Sequence, residues 1–128
     1  MILLVQVVAA LFGMLAVIFG AFGAHALKKI ATEDQLKSFE TGVKYQMYHA
    51  IVLLVLGYNL GFTSALEQNM AYCFLIGTFL FSFSIYGLVL SDIKGKKMRF
   101  LGPVTPLGGL LLAIGWALLL YSYIQHII

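Results

Sequence analysis

The sequence predicts an all-α membrane protein. It should form a four-transmembrane-helix bundle in a single domain, residues 1–128, with an amphipathic helical segment between spans 1 and 2. Three observations carry this prediction. Hydrophobic residues make up 62% of the chain and charged residues only 10%, against about 25% charged in an average soluble domain. A soluble fold of this length has too little interior to hide so much apolar surface. Uncharged runs cover Met1–Leu27, Tyr45–Leu66, Gln68–Ser91 and Phe100–Ile128, and each exceeds the roughly 20 residues that span about 30 Å of hydrocarbon. All eight basic residues lie in two clusters between those runs, Lys28–Lys44 and Lys94–Arg99. A charge at mid-bilayer costs about 2.5–3.5 kcal/mol, so runs this long without one point to the membrane. The chain is rich in Leu, Phe and Ala and poor in alternation, which excludes a β-barrel.

Span 1 is expected over about residues 2–26. Ala24-His25-Ala26 matches a small-x-small cleavage pattern. However, the apolar core is too long for a signal peptide and nothing basic precedes it. The next segment carries helix-start signals. Thr32 and Gln35 have capping-box spacing, and Glu33 and Asp34 suit a first turn. Glu33–Lys37 and Glu40–Lys44 are i,i+4 pairs, while Leu36, Phe39, Val43 and Met47 share a face. These features predict an amphipathic helix at the cytoplasmic surface, which either runs into span 2 (about 44–62) or bends near Gly42. Span 3 is expected over about 69–90. Before span 4 (about 106–126) stands Gly102-Pro103-Val104-Thr105-Pro106, where Thr105 reads as an N-cap and Pro106 as the first helical residue. Small residues stripe span 1 at Gly13, Ala16, Gly20 and Ala24, and span 4 at Gly109, Ala113 and Ala117. Such stripes let helices approach closely in lipid. Four crossings put both basic clusters on one side, which the positive-inside rule makes cytoplasmic. Both termini then lie outside. The basic residues flank apolar spans, so they suit lipid headgroups and not nucleic acid. Cys73 has no second cysteine to pair with and reads as a small core residue.

Counted inward from the charged ends, the polar residues of the spans fall at one depth. His25, Gln46, His49, Tyr86 and Thr105 are placed within about 10 Å of the cytoplasmic boundary, at about 1.5 Å per helical residue, and Ser82 one turn deeper than Tyr86. Thr78 lies a further turn up from Ser82. Intramembrane polar groups are costly unless partnered, so such a set is either a packing device or a site. As a site, it would bind a small anionic ligand, a lipid headgroup or an ion, with a transport role open. As a packing device, it would be an interhelical hydrogen-bond latch in a structural or accessory subunit. Two imidazoles on different helices also raise proton transfer or axial iron ligation. No haem-attachment motif and no further nitrogen, sulfur or carboxylate cluster supports a metal or other cofactor. No nucleophile sits in a catalytic pattern, so no residue is assigned to catalysis and an enzyme is the weaker expectation. Membrane lipids and a second copy of the chain are the expected partners.

The same residues carry a resemblance. Gly20-Ala21-Phe22-Gly23-Ala24-His25-Ala26-Leu27, Tyr45-Gln46-Met47-Tyr48-His49-Ala50, Gly102-Pro103-Val104-Thr105-Pro106-Leu107-Gly108-Gly109 and Gly115-Trp116 resemble the YgdD/YwdK-like group of small bacterial inner-membrane proteins. That group is a domain of unknown function. The resemblance covers the whole chain in order. It implies four helices in the bacterial cytoplasmic membrane and no established activity, substrate or cofactor. It carries over to His25, Gln46, His49, Thr105 and Pro106. In span 3 the group usually has Phe-Ser-Gly-Ser-Leu-Tyr, where this chain reads Phe81-Ser82-Phe83-Ser84-Ile85-Tyr86.

Overall fold

The computed structural model describes residues 1–128. Its long helices are α1 (Ile2–Ala24), α2 (Glu33–Asn59), α3 (Ala65–Ile93) and α4 (Val104–Ile124), and single 3₁₀ turns cover Leu27–Lys29 and Arg99–Leu101. Three of the four helices, α1, α3 and α4, are long and apolar enough to cross a membrane. The second helix has the length, but Lys44, Gln46 and His49 dilute its apolar stretch.

Local chemistry accounts for where the helices start. The capping box forms as expected before α2: Thr32 Oγ1 accepts from the Gln35 amide at 3.2 Å, and Gln35 Oε1 accepts from the Thr32 amide at 2.9 Å. Helix α2 then runs unbroken through Gly42, so the amphipathic segment and the second apolar run are one rod. Gly42 marks a close crossing and not a bend. A Cβ there would lie 2.8 Å from the Tyr86 ring of α3. The apolar face of the segment turns inward, and Phe39 is buried between Phe22 of α1 and Tyr86. Ser64 caps α3 by accepting from the Glu67 amide. Just before that cap, Phe62 holds a left-handed backbone (φ 54°). Its ring is buried and its carbonyl accepts from Gln68 Nε2 at 3.0 Å.

Helix α4 corrects the sequence-based start. Thr105 is not an N-cap and Pro106 is not the first helical residue. The helix begins at Val104 after Pro103, and no side chain caps it. Pro103 already holds a helical φ of −68°, and the Thr105 hydroxyl is engaged with Ser84 of α3 at 2.6 Å. Pro106 sits in the first turn, where its missing N–H leaves no bond unmade.

The helices pack as successive antiparallel hairpins, α1 on α2, α2 on α3 and α3 on α4. Both basic clusters therefore lie at one end of the bundle, and both termini at the other. The apolar interior divides in two. One cluster, around Phe12, Leu53, Met70 and Phe74, fills the half nearer the termini. The other, around Leu27, Phe39, Ile85 and Tyr86, fills the basic end. The small-residue stripe of α1 holds in part, with Ala16 buried and Ala24 exposed. On α4 the stripe is rotated from the expected one. The buried face is Gly108, Leu112 and Gly115, while Ala113 and Ala117 are exposed. Gly108 sets this rotation, because a Cβ on it would lie 2.8 Å from Phe81 Cα and 3.0 Å from the Gly77 carbonyl.

Candidate functional site

Between the two apolar clusters lies a layer of buried polar side chains. Gln46 is 0% exposed and joins three helices. Its Nε2 donates to the Phe12 carbonyl of α1 at 2.8 Å, and its Oε1 accepts from the Tyr86 hydroxyl of α3 at 2.6 Å. One turn toward the basic end, Ser82 Oγ donates to the Gly42 carbonyl of α2 at 2.7 Å. One turn the other way, the buried His49 uses both ring nitrogens. Nδ1 lies 2.7 Å from the Tyr45 carbonyl, and the Trp116 indole N–H of α4 donates to Nε2 at 3.1 Å. An indole can only donate. Nε2 must therefore carry the lone pair and Nδ1 the proton, which makes this a neutral imidazole. Phe74 and Trp116 flank the ring, with centroids 5.8 and 6.1 Å away.

The expected candidates thus come together only in part. Gln46, His49, Ser82 and Tyr86 form the layer. Thr105 is tied to Ser84 between α3 and α4. His25 stands apart, exposed at the C-cap of α1. The imidazole pair that would pass a proton or hold iron axially does not form, and no group of three or more His, Cys, Asp or Glu residues is placed to hold a metal.

The depth also differs from the count along the sequence. Phe12 is about 15 Å from the start of α1 and about 18 Å from its end at 1.5 Å per residue, so the Gln46–Phe12 bond sets the layer near the mid-height of that helix. The count took Lys44 as the boundary. Lys44 neighbours Val43, which packs beside Gly20, within the span of α1. Its exposed side chain has the reach to snorkel to the basic end.

Sequence reasoning missed two partners. Trp116 completes His49, and Ser84 completes Thr105. The single Trp of the chain was a usable signal, because an indole N–H in an apolar helix needs an acceptor. Thr78 Oγ1, one turn above Ser82, is buried with no partner.

Open space lies elsewhere. A cleft of about 500 Å³ opens at the basic end between α2, α3 and the start of α4. Its lining includes Asp34, Gln35, Ser38, Thr41, Asp92, Lys97 and Thr105. Gln35 Nε2 donates to Asp92 across it at 2.9 Å. Of the candidate residues, only Thr105 reaches this cleft.

Residues 19–109 match the family model described as a protein of unknown function, DUF423. The chain belongs to that family. The matched stretch contains Gln46, His49, Ser82, Tyr86 and Thr105, whereas Trp116 lies beyond it. Relatives extend the likeness along nearly the whole chain. A UPF0382 membrane protein of Staphylococcus aureus is 40% identical over 116 residues, 91% of each chain. One from Staphylococcus haemolyticus is 36% identical over 121 residues, 94% of this chain and 95% of its own. One from the fission yeast Schizosaccharomyces pombe is 37% identical over 114 residues, 88% of this chain and 95% of its own. No solved structure matches. The chain is therefore a helical membrane protein of an uncharacterised family, as the resemblance implied.

Proposed function

We propose that this DUF423 member is a non-enzymatic, four-span protein of a bacterial cytoplasmic membrane, with both termini outside, and that its buried polar layer is an interhelical latch. The engagement of both amide atoms of Gln46 carries this reading. Both ends of its amide are engaged by groups on α1 and α3, at zero exposure. His49, Ser82 and Tyr86 are likewise engaged. A ligand would have to displace these bonds, and in hydrocarbon each broken bond leaves an unsatisfied group.

The count of four spans rests on which face of α2 is polar. Gln46 and His49 face the bundle, while Tyr48, Ile51, Val55 and Tyr58 are exposed. A mean hydropathy counts the buried face, but lipid meets only the exposed one. Gln46→Leu in purified protein tests the latch. We expect a lower melting temperature in detergent, with no lipid, anion or cation from a binding panel acting more strongly on wild type than on the variant. A panel member that stabilises only the wild type would make the layer a site.

One observation favours a second reading, a ligand site at the basic end. The cleft beneath the layer has hydroxyls, an amide and charges at its lining. Two carboxylates against one Lys97 suit a polar solute bearing a positive group better than a small anion. Asp92→Asn should then abolish the thermal shift from any amine-bearing solute that stabilises the wild type. An unchanged shift would remove Asp92 from the site.

A further inference from the structure

A second opening, distinct from both the polar layer and the basic-end cleft, lies between α1 and α3. It has a volume of about 390 Å³ and every residue lining it is hydrophobic. Ile18, Phe19 and Phe22 form one wall, Phe83 and Tyr86 the other, and Phe39 of α2 lies behind them. The walls are held stiffly by ring contacts. Phe19 meets Tyr86 at 5.1 Å and Phe83 at 6.1 Å, and Phe83 meets Tyr86 at 5.4 Å. Ile18 and Phe22 are more than two-fifths exposed on the side that faces outward.

Two properties select the occupant. The first is polarity. Water takes about 30 Å³ per molecule and needs two to four polar partners, and this crevice has room for several waters but no free donor or acceptor. The Tyr86 hydroxyl gives its proton to Gln46, and no polar surface opens onto the crevice. That also removes any ligand whose recognition needs a hydrogen bond within the crevice, such as a quinone ring. A flexible hydrocarbon chain fits these terms.

The second is charge. Leu90 closes the crevice toward the basic end and packs against the cluster that contains the buried Leu27. Lys28 and Lys29 follow Leu27 in an exposed 3₁₀ turn. Lysines at the headgroup level attract anionic lipid.

We propose that the α1–α3 crevice holds one acyl chain of an anionic phospholipid, whose headgroup is selected by Lys28 and Lys29. The proposal needs the helices to stand in a bilayer, and it rests on the latch only in that Gln46 engages the hydroxyl of Tyr86, a residue of the crevice wall.

The test is native mass spectrometry of the full chain in detergent, titrated separately with dioleoyl-phosphatidylglycerol and dioleoyl-phosphatidylcholine. The two lipids share their chains and differ in headgroup. Wild type should retain one phosphatidylglycerol per protomer, at least roughly tenfold more tightly than phosphatidylcholine. Ile18→Trp, which fills the crevice, should lose that retained lipid. Lys28→Gln with Lys29→Gln should keep a lipid but bind the two kinds within about threefold of each other. Both lysines are exposed, so this variant gives an answer even if Ile18→Trp fails to fold. The proposal is overturned by a headgroup preference that survives loss of both lysines. It is equally overturned by undiminished retention in a folded Ile18→Trp protein, or by a lipid-free dimer that Ile18→Trp dissociates.

Discussion

At the scale of single residues, the polar layer shows how a membrane protein handles groups that lipid cannot solvate. Gln46 is the hub, and its bond to Tyr86 can be isolated. A double-mutant cycle of Gln46→Leu and Tyr86→Phe should return a coupling of about 0.6 kcal/mol, reaching about 1.7 if the buried site strengthens it. Reversible unfolding in detergent would measure it, and zero coupling would mean that the two side chains do not share a proton. Thr78 predicts the opposite sign. Its hydroxyl is buried and unpartnered, so Thr78→Val removes a desolvated group while keeping the shape. Stability should hold or rise by about 1 kcal/mol, and a clear loss would reveal a partner for that hydroxyl. Some of this chemistry was legible in the sequence. The Thr32–Gln35 box depends only on residues three apart, and both of its bonds form. Thr105 has equally good local signals but does not cap, because Ser84 lies close in space and not in sequence. His49 was recognisable as a polar residue in an apolar run. Its neutral state was not, because that follows from where the Trp116 indole arrives.

At the scale of elements, helix rotation decides what is buried. Small-residue spacing identified helices able to pack closely, but on α4 it selected the wrong face. Gly109, Ala113 and Ala117 and the buried Gly108, Leu112 and Gly115 are neighbouring stripes on the same helix. Both have acceptable spacing, and only contact with α3 separates them. Gly108→Ala and Gly109→Ala therefore make a matched pair. A methyl on Gly108 meets the backbone of Phe81, whereas one on Gly109 meets the edge of the Phe81 ring at 3.6 Å. The first should cost about 1–3 kcal/mol or more and the second little, as read from melting temperatures of the purified variants. Equal effects would mean that α4 packs on its other stripe. Element depth was misread for a related reason. Lys44 is the last charge before the second apolar run, but a long side chain reports where its charge ends and not where its backbone stands.

At the scale of the whole molecule, composition and charge placement were informative because they integrate over many residues. The helical class and membrane residence follow from them, and the relatives agree. The orientation proposed above makes its own prediction. In a Cys73→Ala background, a cysteine at Thr63 should react with an impermeant thiol reagent added to intact cells, and one at Lys96 should react only after the membrane is opened. The reverse pattern would invert the topology, and labelling of both from outside would reduce the number of crossings. Large apolar side chains remain uncovered on α1 and α4, among them Leu3, Val17, Leu110 and Leu120. In a bilayer that surface meets lipid or another copy. Cross-linking of cysteines placed at Leu110 and Leu120 would show whether copies associate there.

The serial packing of the helices bears on how the protein is made. Each helix rests chiefly on the one synthesised before it, and α1 and α4 share no substantial interface. The α1–α2 interface forms without the last helix, and within the polar layer His49 alone waits for α4 to bring its Trp116 partner. The α1–α2 hairpin, with its Gln46–Phe12 and Gln6–Gly57 bonds, can close while α3 is still in the ribosome. Each later helix then docks on a finished surface. Local wiring of this kind favours fast assembly, and it follows the order in which the ribosome delivers the parts.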